Sequence, residues 1–501
     1  MPVVNSGLSI CDSMDTGIEA PVISLVNLGC AKNLVDSERI LGRLAEAGFL
    51  IAQDPAMAEL CLVNTCGFIA EARDETRSVL AELARLRSSG NLRALVALGC
   101  LVERVAEAPE FNRFLEAADV RLGFRDYPRI AEICRELVAA GRREAPSPGA
   151  KAGPVPARPD PSPQWGEGER SRSYNEFLAA PRLRIGSPHT AYLKISEGCS
   201  NACRFCAIPR MRGRQVSRPI EAVAAEAREL AEGGAQEICL IAQDTTSYGR
   251  DLYGRFRLPD LLRALLSIKG PRWFRLMYAY PKHLSAKVLD VLASDERFCP
   301  YIDLPLQHIS DPILRAMGRG ITKAETVKLL DLVARKLPGG AIRTAFIAGF
   351  PGETLAQFQE LLDFVKEGRF AHAGVFIYSH EPLTPSSRLA DALPLAEKTA
   401  RREALMLAQR DVSRRRLHER VGQKIEVLVD ETVAPPSRRH AGGTPALPVA
   451  GARAIARSQL EAPEVDGVVY LQGRGAAKLA PGTFKRVEIV RALDYDVVAK
   501  V

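Results

Sequence analysis

The sequence predicts an α/β protein of three folded parts. These are an N-terminal parallel α/β domain, a central partial β/α barrel and a C-terminal small β-barrel of the oligonucleotide-binding kind. Three observations carry this. Apolar strands alternate with helical periods over residues 22–140, and again over 190–380, the pattern of parallel sheets. Cysteines close three successive strands of the first stretch. After Val421 the helical period gives way to short strands, as in small closed barrels. A chain of 501 residues that is 47% apolar can bury several cores.

Residues 1–20 hold no apolar core and carry Asp12, Asp15 and Glu19. They read as a disordered tail and neither a signal nor a transit peptide. Residues 21–141 form the first domain. Its strands are expected over 22–30, 60–66, 93–100 and 119–123, with a helix capped by Asp36 or Ser37 after the first. Cys30, Cys66 and Cys100 each close a strand, about one βα unit apart. In open α/β sheets ligands bind beyond the carboxyl ends of the strands. Three thiols at one such edge can share an inorganic cluster. Three buried structural cysteines would be the plainer reading, but equivalent placement favours ligands.

Residues 142–180 are rich in Pro, Gly, Ser and Arg and read as a mostly disordered linker; Trp165 within it is incidental. The barrel follows over 181–418. Its six strands are expected over 191–196, 237–243, 274–280, 301–306, 342–350 and 374–379, and in such barrels the site lies at their carboxyl face. The first strand runs into Cys199, Cys203 and Cys206, spaced Cys-x3-Cys-x2-Cys. Cubane iron–sulfur clusters normally take four thiolates, so three leave one iron open. A zinc site would want a fourth Cys or His close by, and the nearest His is His189. Gly349, Gly352 and Glu353 form a glycine turn after the fifth strand, where the backbone can approach a ligand closely. Gln307 and His308 end the fourth strand; His308 reads as structural. Cys11, Cys61, Cys134, Cys239 and Cys299 lack partners at useful spacing.

The helix with Arg414, Arg415 and Arg416 reads as a solvated face. Residues 419–501 form the small β-barrel, interrupted by an expected surface insertion over 434–457. Outside that insertion, residues 421–501 hold 7 Lys+Arg and 9 Asp+Glu, short of the basic patch a nucleic-acid binder shows. Glu461, Glu464, Asp466, Glu488, Asp494 and Asp496 are expected to steer a cationic protein toward the barrel mouth. The whole chain carries +8, which permits an anionic partner without demanding one. No apolar run is long enough to span a membrane, and cysteines in ligand-like spacing suit a reducing cytoplasm.

The Cys199 motif and the Gly349 turn resemble those of the radical S-adenosylmethionine (SAM) superfamily. The order of a three-cysteine domain, that barrel and a terminal TRAM module is similar to the methylthiotransferase family. The segments Lys32–Glu38, Cys206–Gly213, Ala242–Gly249, Asp303–His308 and Glu461–Gly467 resemble its protein-modifying branch. The resemblance implies two 4Fe-4S clusters, on Cys30/Cys66/Cys100 and on Cys199/Cys203/Cys206, with SAM at the open iron of the second. It implies SAM contacts from Gly349, Gly352, Glu353 and Gln307. SAM would serve both as radical source and as methyl donor, and no acid or base residue is assigned. The implied reaction places a methylthio group on the β-carbon of an aspartate in small-subunit ribosomal protein S-twelve, free or in the ribosome. A one-electron reductant and a sulfur donor are implied partners, and no direct tRNA substrate is expected. The alternatives are a tRNA adenosine methylthiotransferase and, in another class, a non-catalytic iron–sulfur sensor or ribosome-binding protein.

Overall fold

The computed structural model describes residues 20–88, 91–143, 174, 176–432 and 449–501. The expected tail up to residue 19, most of the expected linker with Trp165, and residues 434–448 of the expected insertion lie outside them.

The first domain is a five-stranded parallel sheet. Its strands are β1 (Val22–Asn27), β2 (Leu50–Ala52), β3 (Leu60–Thr65), β4 (Ala94–Gly99) and β5 (Val120–Leu122), in the order β2-β1-β3-β4-β5. Strands β3 and β4 are buried at every position, so they read as continuous apolar runs. The three-residue edge strand β2 is too short to show a period and was not legible. Helices α1 (Ala31–Glu46), α2 (Ala70–Arg85), α3 (Cys100–Glu107) and α4 (Ile130–Arg143) connect and cover the sheet.

Two expectations need correction here. Helix α1 does not start at an Asp36 or Ser37 cap. It starts at Ala31 with Cys30 as N-cap, and Asp36 and Ser37 are buried because their side chains bond to partners outside the helix. The end of the expected linker is also ordered: Phe177 and Leu178 pack into the core of the first domain.

The barrel strands are β6 (Thr190–Lys194), β9 (Glu237–Ile241), β10 (Trp273–Leu276), β11 (Tyr301–Asp303), β12 (Ala341–Ala348) and β13 (His372–Ile377). Between β6 and β9, a two-residue ribbon pairs β7 (Ser196–Glu197) with β8 (Val216–Ser217). The six strands form two parallel runs, β10-β9-β6 and β11-β12-β13. They are joined where the Ala279 N–H donates to the Asp303 carbonyl at 2.8 Å. The barrel is thus partial, as expected, with β6 and β13 at the two ends of its arc.

The first domain bridges those two ends. At the β6 end, Asp36 of α1 receives the Lys194 ammonium. At the β13 end, Glu381 pairs with Arg73 of α2 at 2.9 Å and Arg104 of α3 at 3.1 Å. All five groups are nearly fully buried.

The C-terminal strands β14 (Lys424–Thr432), β15 (Ala452–Arg457), β16 (Val469–Gln472), β17 (Phe484–Ala492) and β18 (Val497–Lys500) close into a barrel. Here too the sequence reading needs correction. Residues 452–457, expected within a surface insertion, are a barrel strand. Alanines alternate there with Arg453, Ile455 and Arg457; the inward-facing Ala454 and Ala456 are small, and so resembled loop composition. This adds Arg453 and Arg457 to the domain, giving 9 Lys+Arg against 9 Asp+Glu outside 433–448. Three of the six acidic residues expected to steer a partner already hold a cation of this chain. Glu461 pairs with Arg420, Asp466 with Arg343, and Asp494 with Arg414.

This small barrel docks against the amino ends of the partial barrel. Arg457 pairs with Glu237 at 2.7 Å, the Tyr301 hydroxyl donates to Asp466 at 2.7 Å, and Trp273 meets Phe484 edge-on. Glu237, Tyr301 and Trp273 are the first residues of β9, β11 and β10. The carboxyl ends are left for the site.

Candidate active site

Cys30, Cys66 and Cys100 stand just beyond β1, β3 and β4, which are neighbours in the sheet. Glycines bring the three loops together. Gly29 sits at φ +95°, and a Cβ there would meet the Cys66 side chain; Gly67 packs against the Leu101 backbone. The three thiols sense one another electrostatically. Burial raises Cys66, and raises Cys100 to about 12. Burial also opposes ionisation of Cys30, but Lys32 and Arg212, with the Asn33 and Lys32 N–H groups, outweigh it and leave Cys30 lowered. Cys30 is the exposed member. It borders a cavity of about 300 Å³ with Leu34, Gly186 and Glu464.

Cys199, Cys203 and Cys206 follow β7, at the carboxyl end of β6. Gly198, at φ +75°, lets the loop pass against the carbonyls of Gly213 and Arg214, and the Cys199 N–H donates to the Gly213 carbonyl at 2.9 Å. The Arg204 N–H reaches the Met317 carbonyl at 2.9 Å, and Asn201 donates to Asp244 at 2.8 Å. The three thiols again interact with each other, and burial raises Cys199 to about 11 and Cys206 to about 12. The guanidinium of Arg319 lies 3.3 Å from Cys203 Sγ.

Among the described residues, no three His, Cys, Asp or Glu side chains converge tightly enough to hold a single metal ion. Ligands of one zinc ion stand within about 4 Å of each other, whereas a cubane spreads its thiolates around a larger core. Three mutually interacting thiols in each loop are a donor set that suits such a cluster. Raised thiols must lose their protons to bind iron, and the guanidinium groups beside each triplet favour that loss.

One buried network joins the two cysteine loops. Arg212, the last residue of the helix Ile208–Arg212 that follows the cysteine loop, reaches three groups of the first domain. Its Nε lies 3.3 Å from Cys100 Sγ, and its Nη atoms donate to Asp36 at 3.0 Å and to Asn33. The same guanidinium donates to Glu197 at 2.8 Å. Glu197 also receives Lys194 at 2.9 Å and the Tyr174 hydroxyl at 2.7 Å. Burial opposes ionisation of Glu197, but Arg212 and Lys194 prevail and hold it far below the usual carboxylate range.

Other predicted site residues have different settings. Glu353 is 3% exposed. Its carboxylate accepts from the N–H groups of Gly349 (2.6 Å) and Phe350 (3.1 Å), and from Arg401 (3.0 Å). It closes its own turn, with little capacity left for a ligand. Gly349 lies at φ +73° against the Lys398 side chain, and Gly352 at φ +84° has open space where a Cβ would be. Gln307, at φ +75°, holds a left-handed conformation rare for a side-chain-bearing residue. Its backbone bonds to Ala345 and Ile347 of β12 at 2.8 Å each. His308 is buried and accepts the Ser310 N–H at 3.0 Å, a structural histidine. Cys61, Cys134, Cys239 and Cys299 are buried free thiols, all raised by burial. Cys11 lies outside the described residues.

Several site-forming groups were given no binding role by the sequence: Lys32, Asn33, Asp36, Arg73, Arg104, Lys194 and Arg319. Charged residues on a helix ordinarily mean a solvated face, so α1, whose polar face is buried along with its apolar one, gave a misleading signal.

Three family models match the chain. The uncharacterized protein family UPF0004 matches residues 23–121, the radical SAM superfamily 193–365 and the TRAM domain 421–501. The ribosomal protein uS12 methylthiotransferase RimO of Anaeromyxobacter sp. (strain K) is 43% identical over 477 residues, covering 95% of this chain and 92% of that protein. RimO of Heliobacterium modesticaldum is 40% identical over 483 residues, covering 95% of this chain and 94% of that protein. The chain belongs to the RimO family of radical SAM methylthiotransferases. A solved structure of the radical SAM methyltransferase TsrM from Kitasatospora setae, with tryptophan substrate and a SAM analog bound, shares the fold. The TM-score is 0.51 at 18% identity, over 73% of this chain and 75% of that one. Among the described residues, no helix is long and apolar enough to cross a membrane.

Proposed function

We propose that this RimO-family enzyme adds a methylthio group to the β-carbon of an aspartate in uS12, the S-twelve of the sequence reading. Cys30, Cys66 and Cys100 hold one 4Fe-4S cluster; Cys199, Cys203 and Cys206 hold a second, where SAM binds. When bound, the clusters and SAM supply hydrogen-atom abstraction and the methylthio group, chemistry that side chains lack. The carbon to be attacked adjoins an ionised carboxylate, so proton removal by a side-chain base is not a realistic route. Accordingly no Asp, Glu or His is assigned as acid or base.

The chain's own residues position these groups. The backbone at Gly349 and Gly352, together with Gln307, lines the carboxyl face where SAM sits. Glu353 holds that turn in shape and does not touch SAM. Arg212 and Arg319 place positive charge beside one thiolate of each triplet. Cys100 and Cys199 are the buried member of each triplet, and water is kept from that side of the reactive centres.

The observation that carries this reading is the Arg212 network, which fastens the two cysteine loops face to face between domains. A sensor with independent clusters has no need of that junction. The balanced charge of the TRAM domain no longer separates the protein-modifying from the tRNA-modifying branch. The near-full-length similarity to uS12 methylthiotransferases supports the former, and tRNA is not a substrate. The reaction takes place in the cytoplasm with a one-electron reductant and a sulfur donor. Mass spectrometry of uS12 and of tRNA nucleosides, from cells with and without this gene, tests it. The uS12 aspartate should gain a methylthio group only when the gene is present. Methylthiolated adenosine that follows the gene, with uS12 unmodified, would sink the proposal.

A further inference from the structure

Lys32 is a buried cation with no carboxylate of its own; the strongest charge in its favour is that of the neighbouring Cys30. It is the second residue of α1, 7% exposed, and two residues past Cys30. Among the described residues, no carboxylate lies within ion-pair distance of its ammonium. The carboxylates that influence it are Asp303 and Glu197, and each has a closer partner. Asp303 pairs with Arg343 at 3.0 Å, and Glu197 with Arg212 and Lys194 at 2.8 and 2.9 Å.

The Lys32 ammonium lies 2.9 Å from the centre of the Tyr278 ring. A cation–π contact with one ring offsets only part of the cost of withdrawing an ammonium from water. The ring alone does not offset burial. Tyr278 is itself held at φ +58°, just beyond β10, with its N–H on Asp303 at 3.0 Å. This unusual backbone presents the ring toward the first domain. Lys32 thus crosses from the Cys30 loop to the Tyr278 ring at the carboxyl end of β10.

We propose that Lys32 binds the side-chain carboxylate of the substrate aspartate. The inference rests on the uS12 reading above and adds the residue that recognises the target. An anion held on this ammonium places the adjoining β-carbon at the carboxyl face of the barrel, beside the Cys30 loop. It also supplies the carboxylate partner that Lys32 lacks. An adenine base offers no such anion, so the contact discriminates aspartate from nucleoside substrates. Tyr278 fixes the direction of the ammonium through its ring.

The test is binding of purified uS12 to the anaerobically reconstituted protein by fluorescence anisotropy. Wild type and Lys32→Met are each measured against native uS12 and against uS12 whose target aspartate is changed to asparagine. The wild type should bind native uS12 at least tenfold more tightly than the asparagine form, and that ratio should fall to about one in Lys32→Met. Lys32→Arg should restore part of it. A ratio unchanged in Lys32→Met overturns the assignment of Lys32 and leaves the uS12 reading intact. Should Lys32→Met not fold, a wild-type ratio near one overturns the assignment by itself. No preference of the wild type for uS12 over an unrelated basic ribosomal protein overturns both.

Discussion

Arg212 Nε lies 3.3 Å from Cys100 Sγ, so a residue of the barrel's cysteine segment reaches the cysteine edge of the N-terminal sheet. The same guanidinium holds Asp36 and Glu197, which are 1% and 6% exposed. Geometry at one triplet is therefore tied to geometry at the other. Truncating Arg212 to Ala would leave two buried carboxylates short of a partner. Breaking a buried pair in this way costs about 3–5 kcal/mol. The expected outcome is a lower melting temperature and faster proteolysis between the first domain and the barrel. An unchanged melt would mean that the network is not what joins them.

The proposed ligand sets predict iron content. Anaerobically reconstituted protein should hold about eight irons per chain if both clusters are cubanes, and Cys203→Ala about half that. Iron for a single cluster in the wild type would make Cys30, Cys66 and Cys100 structural, and remove the proposed sulfur site.

The two triplets should also be separable by product. Cys66→Ala leaves the barrel triplet intact, so it should still form deoxyadenosine from SAM while transferring no methylthio group. Cys206→Ala should form no deoxyadenosine. Quantifying deoxyadenosine and modified uS12 in the same reaction checks both. Loss of deoxyadenosine in Cys66→Ala, with the barrel cluster present, would contradict this division.

The order of strands, the three units and the placement of both cysteine triplets were legible because each rests on a short pattern. Apolar runs mark β3 and β4, and thiols at equivalent strand ends reveal themselves by spacing. The junction was not legible. Asp36 looks like a helix cap and Arg212 like a surface charge, because burial of a charge depends on a partner more than 170 positions away. Strand β15 was missed for a related reason: Ala454 and Ala456 pack inward only once the barrel closes around them. Glu353 was legible as part of a turn, but not as the acceptor that saturates it.

His308 predicts a pH dependence of stability. Burial lowers it from 6.5 to about 4, and its Nδ1 accepts the Ser310 N–H, so the folded state holds it neutral. The unfolded chain takes up a proton below about pH 6.5 and the folded chain does not until about pH 4. Its contribution is thus fully present above pH 6.5 and is lost as pH falls through that window. At pH 5 the loss is about 2 kcal/mol. His308→Asn, which can keep an acceptor for Ser310, should lose less stability between pH 7 and pH 5 than the wild type. Equal losses in paired thermal melts would refute a titrating role for His308.

The last prediction concerns the TRAM domain, which is built into the floor of the partial barrel. Arg457 of β15 pairs with Glu237 at 2.7 Å, and Glu237 is 0% exposed at the start of β9. Arg275 takes the other side of Glu237 and donates to the Gln459 carbonyl at 2.8 Å. Trp273 and Tyr301 are covered by the same domain. Removing residues 421–501 would therefore uncover aromatic surface and strip buried charges of partners. A role in steering alone would leave such a truncation folded. Docking of this kind predicts a truncated protein that is insoluble or loses bound iron. Arg457→Ala is the milder probe, since it removes one partner from Glu237 and from Asp430. It should cost about 3–5 kcal/mol, read as a depressed melting temperature with iron content lost early in the melt. A truncated protein that stays monomeric, keeps its iron and cleaves SAM as the full chain does would show that the barrel stands without its floor.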